Sequence, residues 1–263
     1  MIKHLITCSV MLVLFFISWL AVKSSASNNL AVKKLMVVAP VKTATPPRPA
    51  KFILANNNND NDFSFANEAL PINDEVVDKK MKHTLMLHGF KKIQSNLLQV
   101  KAQLLFPIIE PILRAYGIPD DFKYIPLVES GLCNGTSSKG ASGLWQFMPG
   151  TARHYGLRVG KGVDERQNVR KSTIAACKYI RGLYAQFNSW TLAAAAYNNG
   201  EDKLQHQINR QNQDNYFRMH LNRETGVYVY NLIAMKEIIS RPVNYGYKPI
   251  YAHAPATQLM AYN

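Results

Sequence analysis

The residues with the clearest chemical content lie in Ile125-Pro-Leu-Val-Glu-Ser-Gly131, which a short polar loop joins to Gly143-Leu-Trp-Gln-Phe-Met-Pro149. One acid, Glu129, ends an apolar run, and a glycine turn then leads into an aromatic, amide and thioether cluster. An acid beside groups that pack on sugar faces and hydrogen-bond to hydroxyls is how a glycan cleft with one catalytic carboxyl could be written. Pro119-Asp-Asp opens like a helix, with proline tolerated in the first turn and acids favourable at the positive end of the dipole. Phe122, Ile125 and Val128 recur at helical spacing, so Glu129 is expected at the C-terminal end of a helix that Gly131 stops. There the negative end of the dipole and apolar neighbours both disfavour ionisation. A carboxyl that keeps its proton near neutral pH is what a glycosidic oxygen needs in order to leave. Pro126 removes one helical hydrogen bond beside the acid. Glu-Ser-Gly is also an ordinary way to end a helix, and this stretch alone does not separate the two readings.

The elements that must position this acid read as mainly α. A polar amphipathic stretch covers about 75–104, a second segment lies near 107–116, and the acid-bearing helix follows. Ser172 reads as an N-cap for a helix that puts Ala176, Cys177, Ile180, Leu183, Tyr184 and Phe187 on one face. An alanine-rich helix follows from about Trp190 to Tyr197, and a last one aligns Tyr228, Leu232, Met235 and Ile239. No run of alternating strand residues stands out. Residues 75–250 suffice for one domain with a full core.

Before that domain, Met1-Ile-Lys-His precedes an apolar run from Leu5 to Val22, at the border between a signal peptide and a membrane span. Ser24-Ser-Ala26 supplies small residues for cleavage before Ser27, so residues 1–27 read as a cleaved export signal or an N-terminal anchor. Cys8 lies inside the hydrophobic run, which argues against a lipoprotein signal. Residues 28–74, rich in Pro, Asn and Asp, have too little apolar surface to offset chain entropy and are expected to form a flexible linker.

Formal net charge is +14, and residues 75–263 hold twenty-four basic and thirteen acidic side chains, so the excess lies on the folded part. Outside the cytoplasm such a surface attracts wall carboxylates, anionic headgroups or wall polymers. No basic-aromatic motif supports a nucleic-acid partner. Cys133 and Cys177 could pair in an oxidising compartment, but Cys177 falls on a core face, where a free thiol acts as a small hydrophobe. His83, His88, His154, His206 and His220 lack an i, i+4 pair or a CxxC partner, so neither metal nor cofactor is expected, and His83 and His88 read as an exposed face.

Four ordered motifs carry a resemblance across about residues 105–245. Ile-Pro-Leu-Val-Glu-Ser-Gly, Gly-Leu-Trp-Gln-Phe-Met-Pro-Gly-Thr, Ala196-Tyr-Asn-Asn-Gly200 and Arg223-Glu-Thr-Gly-Val-Tyr-Val229 occur in the order seen in lytic transglycosylases. The chain resembles their membrane-bound murein transglycosylase D group, within the goose-lysozyme-like superfamily. The resemblance implies a lysozyme-like catalytic domain over 105–245, after a helical lead-in at 75–104 and before a tail at 246–263. It implies that Glu129 protonates the oxygen between N-acetylmuramic acid and N-acetylglucosamine. The same residue then takes the proton of the muramyl C6 hydroxyl as that oxygen attacks C1, leaving a 1,6-anhydromuramyl end. Ser130 matches a serine that orients substrate or acid, Tyr197 and Asn198 match cleft residues of the Ala-Tyr-Asn element, and Tyr228 matches a tyrosine that reaches toward the acid. Gln146 and Met148 offer an amide and an apolar face to the sugar, with Met148 and Trp145 equally readable as core.

Departures are local. Leu132-Cys-Asn-Gly-Thr replaces a more usual Phe-Asn-Pro pattern, and Asn168 stands where relatives often have aspartate, weakening a cap. Asp164-Glu-Arg166 reads as structural. Relatives commonly carry wall-binding repeats that 246–263 is too short to hold, so wall affinity is expected from the cleft, the basic surface or a partner. The chain is expected to act as a monomer on peptidoglycan strands. Two alternatives stay open: a hydrolytic muramidase using Glu224 as a second carboxylate, although helix capping is the simpler role for Glu224, and a wall-binding protein without catalysis.

Overall fold

The computed structural model describes residues 63–71 and 73–248. The signal or anchor segment and most of the linker lie outside the described residues, as does the tail beyond 248. The described residues are mainly helical, with nine α-helices. These are α1 (Glu75–His88), α2 (Phe90–Ile93), α3 (Leu97–Ala115), α4 (Ile125–Ser130), α5 (Pro149–His154), α6 (Val169–Phe187), α7 (Trp190–Asn199), α8 (Glu201–Gln211) and α9 (Thr225–Ser240). Among the described residues no helix is long and apolar enough to cross a membrane.

Helix α9 forms the axis of the packing. Ten of its sixteen residues, from Thr225 to Ile238, are buried, so it is apolar nearly all round, as expected of a helix enclosed by others. It packs against α1, α4 and α7, while α6 packs against α3 and α7. Close approach to α7 is possible because Ala193, Ala194, Ala195 and Ala196 are all 0% exposed and add almost no width to the helix. Helix α3 continues through Pro107 and Pro111, where two separate segments were expected. Both prolines lie on the exposed face, where water can serve the carbonyls they leave free, while Leu105, Phe106, Ile109 and Leu113 hold the opposite face in the core.

Two small antiparallel hairpins correct the expectation that no strands form: β1 (Ser64–Phe65) with β2 (Glu68–Ala69), and β3 (Val159–Gly160) with β4 (Val163–Asp164). Two-residue strands are too short to show alternation, and their signal is the turn chemistry at Ala66-Asn67 and Lys161-Gly162, where φ is positive. The first hairpin also ends the flexible linker earlier than expected. Phe65 is fully buried and meets Phe122 edge-on at 5.0 Å, and Phe122 meets Trp190 at 5.3 Å. Glu68 receives the Thr191 amide at 2.9 Å and the Ser189 hydroxyl at 2.9 Å, placing a carboxylate on the positive end of α7. Asp121 accepts from Ala66 N and from Lys236 Nζ, both at 2.7 Å, so one carboxylate joins the hairpin, the turn before α4 and α9.

Capping differs from the sequence reading in two places. The N-cap of α6 is Asn168, whose side chain accepts from Lys171 N at 2.9 Å. Ser172 lies inside the helix, buried, and donates back to the Asn168 carbonyl at 2.7 Å. Amide oxygen serves a cap as well as carboxylate does, so asparagine at 168 costs the helix little. His88 is also not on an exposed face: it is half-buried, its Nε2 is 3.1 Å from Asn231 Oδ1, and burial lowers its pKa. Cys133 and Cys177 are both free. Cys177 sits in the core as a small hydrophobe, its thiol pushed up to about 12 by burial.

The loop between α4 and α5 is held by Arg166, which is 6% exposed. Its Nη1 donates to the carbonyls of Gly140 (2.7 Å) and Phe147 (2.9 Å), while Asp164 takes its Nε and Nη2 in a bidentate pair. This gives physical content to the structural reading of Asp164-Glu-Arg166. Gly143 has φ +78° and would place a Cβ 1.9 Å from the Arg166 carbonyl oxygen. Gly143→Ala should therefore lower stability by at least about 3 kcal/mol in chemical unfolding. Gly117→Ala, at φ +67° with open space around it, should cost only about 1–2 kcal/mol. Equal losses in the two variants would show that contact with Arg166 is unimportant.

Candidate active site

Glu129 is the fifth residue of a six-residue helix, and Gly131 ends it in the left-handed conformation at φ 59°. The expected helix from Pro119 divides in two: Asp120–Tyr124 is a 3₁₀ turn, and α4 starts only at Ile125 with Pro126 in its first turn. Proline there removes a hydrogen bond that a first turn lacks anyway, so it starts this helix instead of kinking it. Buried Ile125, Pro126 and Leu127 hold α4 in the core and leave Val128, Glu129 and Ser130 only partly covered.

Tyr228 of α9 reaches Glu129 from below. Its hydroxyl donates to Glu129 Oε1 at 2.6 Å. The two residues are ninety-nine positions apart, and the packing of α9 on α4 brings them together. Burial raises the Glu129 pKa to about 7, the Tyr228 bond opposes that rise, and the carboxylate of Glu224 adds to it. The tyrosines respond in turn: burial lifts the Tyr228 and Tyr197 hydroxyls well above the usual phenol range, with the Glu129 charge reinforcing both. Both phenols therefore remain proton donors at any ordinary pH.

The remaining predicted residues divide between wall and opening. Tyr197 donates to the Trp145 carbonyl at 2.7 Å and stands among the rings of Trp145, Phe147 and Tyr179. Trp145 itself is fully buried and donates its Nε1 to Thr173 at 3.0 Å, which resolves its two readings in favour of core. Met148 is 45% exposed at the start of α5. Ser130 Oγ lies 2.9 Å from the carbonyls of both Pro126 and Leu144, so it fastens the end of α4 to the loop. Gln146, at φ 47°, spends its amide N–H groups on the carbonyls of Gly143 (2.8 Å) and Gly135 (3.2 Å), which leaves its carbonyl oxygen as the half not engaged by these bonds.

Asn198 joins α7 to the start of α9. Its Nδ2 donates to Glu224 Oε1 at 3.2 Å, and its Oδ1 accepts from Thr225 Oγ1 at 3.0 Å. Glu224 is exposed and makes no capping bond, contrary to the simpler reading of its role. The capping bond comes from Asn222, whose Oδ1 accepts from Thr225 N at 2.9 Å. Asparagine three residues before the first capped amide is a legible signal, and it frees Glu224 to face Asn198. The sequence reading also missed Arg166 as the clamp of the loop that carries Gln146 and Leu144. The loop atoms it holds are the backbone carbonyls of Gly140 and Phe147, which leave no mark on sequence. Among the described residues no group of three or more His, Cys, Asp or Glu side chains could hold a metal ion.

Similarity to known proteins falls on the same helical stretch. Residues 107–219 match the family described as Transglycosylase SLT domain. By this match residues 107–219 resemble a transglycosylase SLT domain. It is 29% identical over 183 residues to membrane-bound lytic murein transglycosylase D of Escherichia coli strain K12, covering 67% of this chain and 39% of that protein. It is 43% identical over 70 residues to peptidoglycan transglycosylase gp16 of Escherichia phage T7, covering 26% of this chain and 5% of that one. A solved structure of an inactive mutant of lytic transglycosylase Slt from Pseudomonas aeruginosa is similar over 56% of this chain and 25% of its own, at 21% identity and TM-score 0.40. The chain thus spans well under half the length of the curated relatives it matches. Tyr228 lies beyond the matched segment, on the helix that completes the site.

Two expectations follow for Glu129. Its folded pKa of about 7 exceeds the unfolded value near 4.3. The stability that the bound proton confers is complete below about pH 4 and is lost as pH rises through 7. Glu129→Gln removes that loss, so its unfolding free energy should gain on the wild type by up to about 3 kcal/mol between pH 4 and 8. Parallel denaturation curves would measure this, and a constant gap would contradict a raised pKa. Tyr228→Phe removes the bond that favours the carboxylate, so an NMR titration of labelled glutamate should find the Glu129 pKa higher still.

Proposed function

We propose that this domain cleaves peptidoglycan glycan strands by non-hydrolytic transglycosylation, with Glu129 as acid and then base. The observation that carries the reading is the half-buried Glu129 carboxyl, bonded to Tyr228 on one oxygen and able to keep a proton near pH 7. Because Tyr228 occupies Oε1, the transferable proton belongs on Oε2. It passes to the glycosidic oxygen between the muramyl and glucosaminyl rings as the C1–O bond breaks, and positive charge develops at the muramyl C1. The carboxylate left behind gains the full strength of the Tyr228 hydrogen bond. It then removes the proton of the muramyl C6 hydroxyl while that oxygen bonds to C1. The product is a 1,6-anhydro ring, no water is consumed, and Glu129 ends protonated as it began. An internal hydroxyl competes well with bulk water because its effective concentration is high.

In this reading Ser130 and Gln146 shape the loop over the acid, Met148 offers an apolar face to a sugar ring, and Tyr197 and Asn198 wall the cleft. The names of the relatives support murein as substrate and a cell-envelope location, reached through the apolar segment Leu5–Val22. A basic surface toward anionic membrane or wall polymers and action as a monomer without cofactor complete the proposal.

A hydrolytic second reading draws on one feature, the exposed Glu224 carboxylate within electrostatic reach of Glu129. Mass spectrometry of peptidoglycan digested by the protein, without a reducing step, separates the two. Muropeptides ending in 1,6-anhydromuramic acid are expected. Products heavier by one water would instead make it a muramidase, with Glu224 as the candidate base. Glu129→Gln should fold normally and lose about 10²–10⁴-fold in cleavage rate, and a loss under tenfold would remove Glu129 from the chemistry.

A further inference from the structure

The turn that ends α4 holds a contact that the catalytic reading leaves unused. Gly131 and Leu132 both lie in the left-handed region, at φ 59° and 53°, and the chain folds back so that Cys133 N donates to the Ser130 carbonyl at 3.2 Å. Helix α3 runs alongside: a Cβ added to Gly131 would meet Leu98 at 3.9 Å, and Lys101, three residues on and on the same face, reaches across the turn. Its Nζ donates to the Gly131 carbonyl at 3.3 Å and lies 2.5 Å from Cys133 Sγ. The Cys133 thiol points at the same carbonyl, at 3.6 Å, so one oxygen orients both groups. Among the described residues no carboxylate pairs with Lys101. Both residues are half-buried, so packing holds them without sealing them from small solutes.

A lysine over a thiol is ordinarily a hydrogen bond and nothing more. This pair is closer than that. N–H···O bonds rarely fall below about 2.7 Å, and sulfur, the larger atom, holds a donor further off than oxygen does. Nζ and Sγ stand instead at a spacing that a single oxygen bonded to both would span. Cys177 is fully buried, so among the described residues Cys133 is the thiol that a solute can reach.

We propose that Lys101 and Cys133 are the site of an oxidative cross-link, an Nζ–O–Sγ bridge formed with hydrogen peroxide as the oxidant. First the thiol sulfur takes an oxygen from one peroxide, giving a sulfenic acid and one water. Then the sulfenic O–H bond and one N–H bond of the Lys101 amine break, an N–O bond forms, and a second peroxide takes up both hydrogens and leaves as two waters. Sulfur and nitrogen each lose two electrons, and the two peroxides gain four. Excess thiol reverses the bridge: four thiols become two disulfides as the amine, the Cys133 thiol and one water are restored. The bridge ties α3 to the turn four residues after Glu129, so it narrows the positions open to the end of α4 and lowers the entropy of the unfolded chain. It is independent of which bond Glu129 cleaves.

The test is peptide mapping by mass spectrometry of the full chain, first reduced and then treated with hydrogen peroxide. The peptides bearing Lys101 and Cys133 should be recovered as one species, heavier than their sum by one oxygen less two hydrogens, and should separate again in excess dithiothreitol. The cross-linked chain should melt about 5 °C or more above the reduced one. Lys101→Met and Cys133→Ser should give neither the joined peptide nor the rise in melting temperature. Cys133 carrying one or more whole oxygens with Lys101 unmodified would overturn the proposal, making it an ordinary oxidisable thiol. A disulfide between two chains through Cys133, or a joined peptide that still forms in Lys101→Met through another amine, would overturn it as well. A cross-linked chain that melts no higher than the reduced one would refute the restraint on α4. Should either variant fail to fold, the joined peptide of the wild type, sequenced by fragmentation to its two bridged side chains, decides the matter by its presence or absence.

Discussion

The structure depends on holding one carboxyl half-buried, against a phenol yet within reach of a ligand. Glu129 meets that constraint through the hydroxyl of Tyr228 at 2.6 Å and through enclosure that lifts its pKa to about 7. A carboxyl isolated in an apolar pocket would hold its proton too tightly to act as a base. A solvated one would give it up too early. One phenolic hydrogen bond against a desolvated carboxyl sits between those limits, because it strengthens as charge appears on the oxygen.

Holding that geometry falls to elements distant in sequence. Helix α4 is too short to be stable alone, so its orientation comes from Ile125, Pro126 and Leu127 in the core and from Ser130 bonded to the Leu144 carbonyl. The loop bearing Leu144 is in turn held by Arg166, whose guanidinium serves two backbone carbonyls and the Asp164 carboxylate together. Tyr228 depends on α9, which is anchored at its start by Asn222 and Tyr216 and along its length by Lys236 on Asp121. The first hairpin extends this frame, since Phe65 and Glu68 buttress Phe122 and the start of α7. Much of what lies far from Glu129 thus acts on it by restricting where α4, α7 and α9 can sit.

The helices with full periodicity were legible: α6, α7 and α9 fall where their apolar spacing puts them, because a continuous buried stripe leaves a regular trace. Elements shorter than one period leave none, so the sequence shows no hairpins and makes the 3₁₀ turn before α4 look like helix. Caps were ambiguous for a related reason. Ser172 and Glu224 are reasonable capping residues, but Asn168 and Asn222 stood nearby, and only packing decided which side chain met the free amides.

By itself the sequence determined that the chain is mainly α, that Glu129 ends a helix at a glycine turn, and that an acid there is disfavoured from ionising. Those properties follow from local spacing and the nature of single residues. The tertiary structure made the Tyr228 contact that the resemblance implied, and it alone decided that Tyr197 binds a loop carbonyl, that Glu224 faces Asn198, and that Lys203, His206 and Arg210 share a groove with His220. Each of these joins residues whose separation in the chain exceeds any local periodicity, so their meeting is set by how whole helices pack.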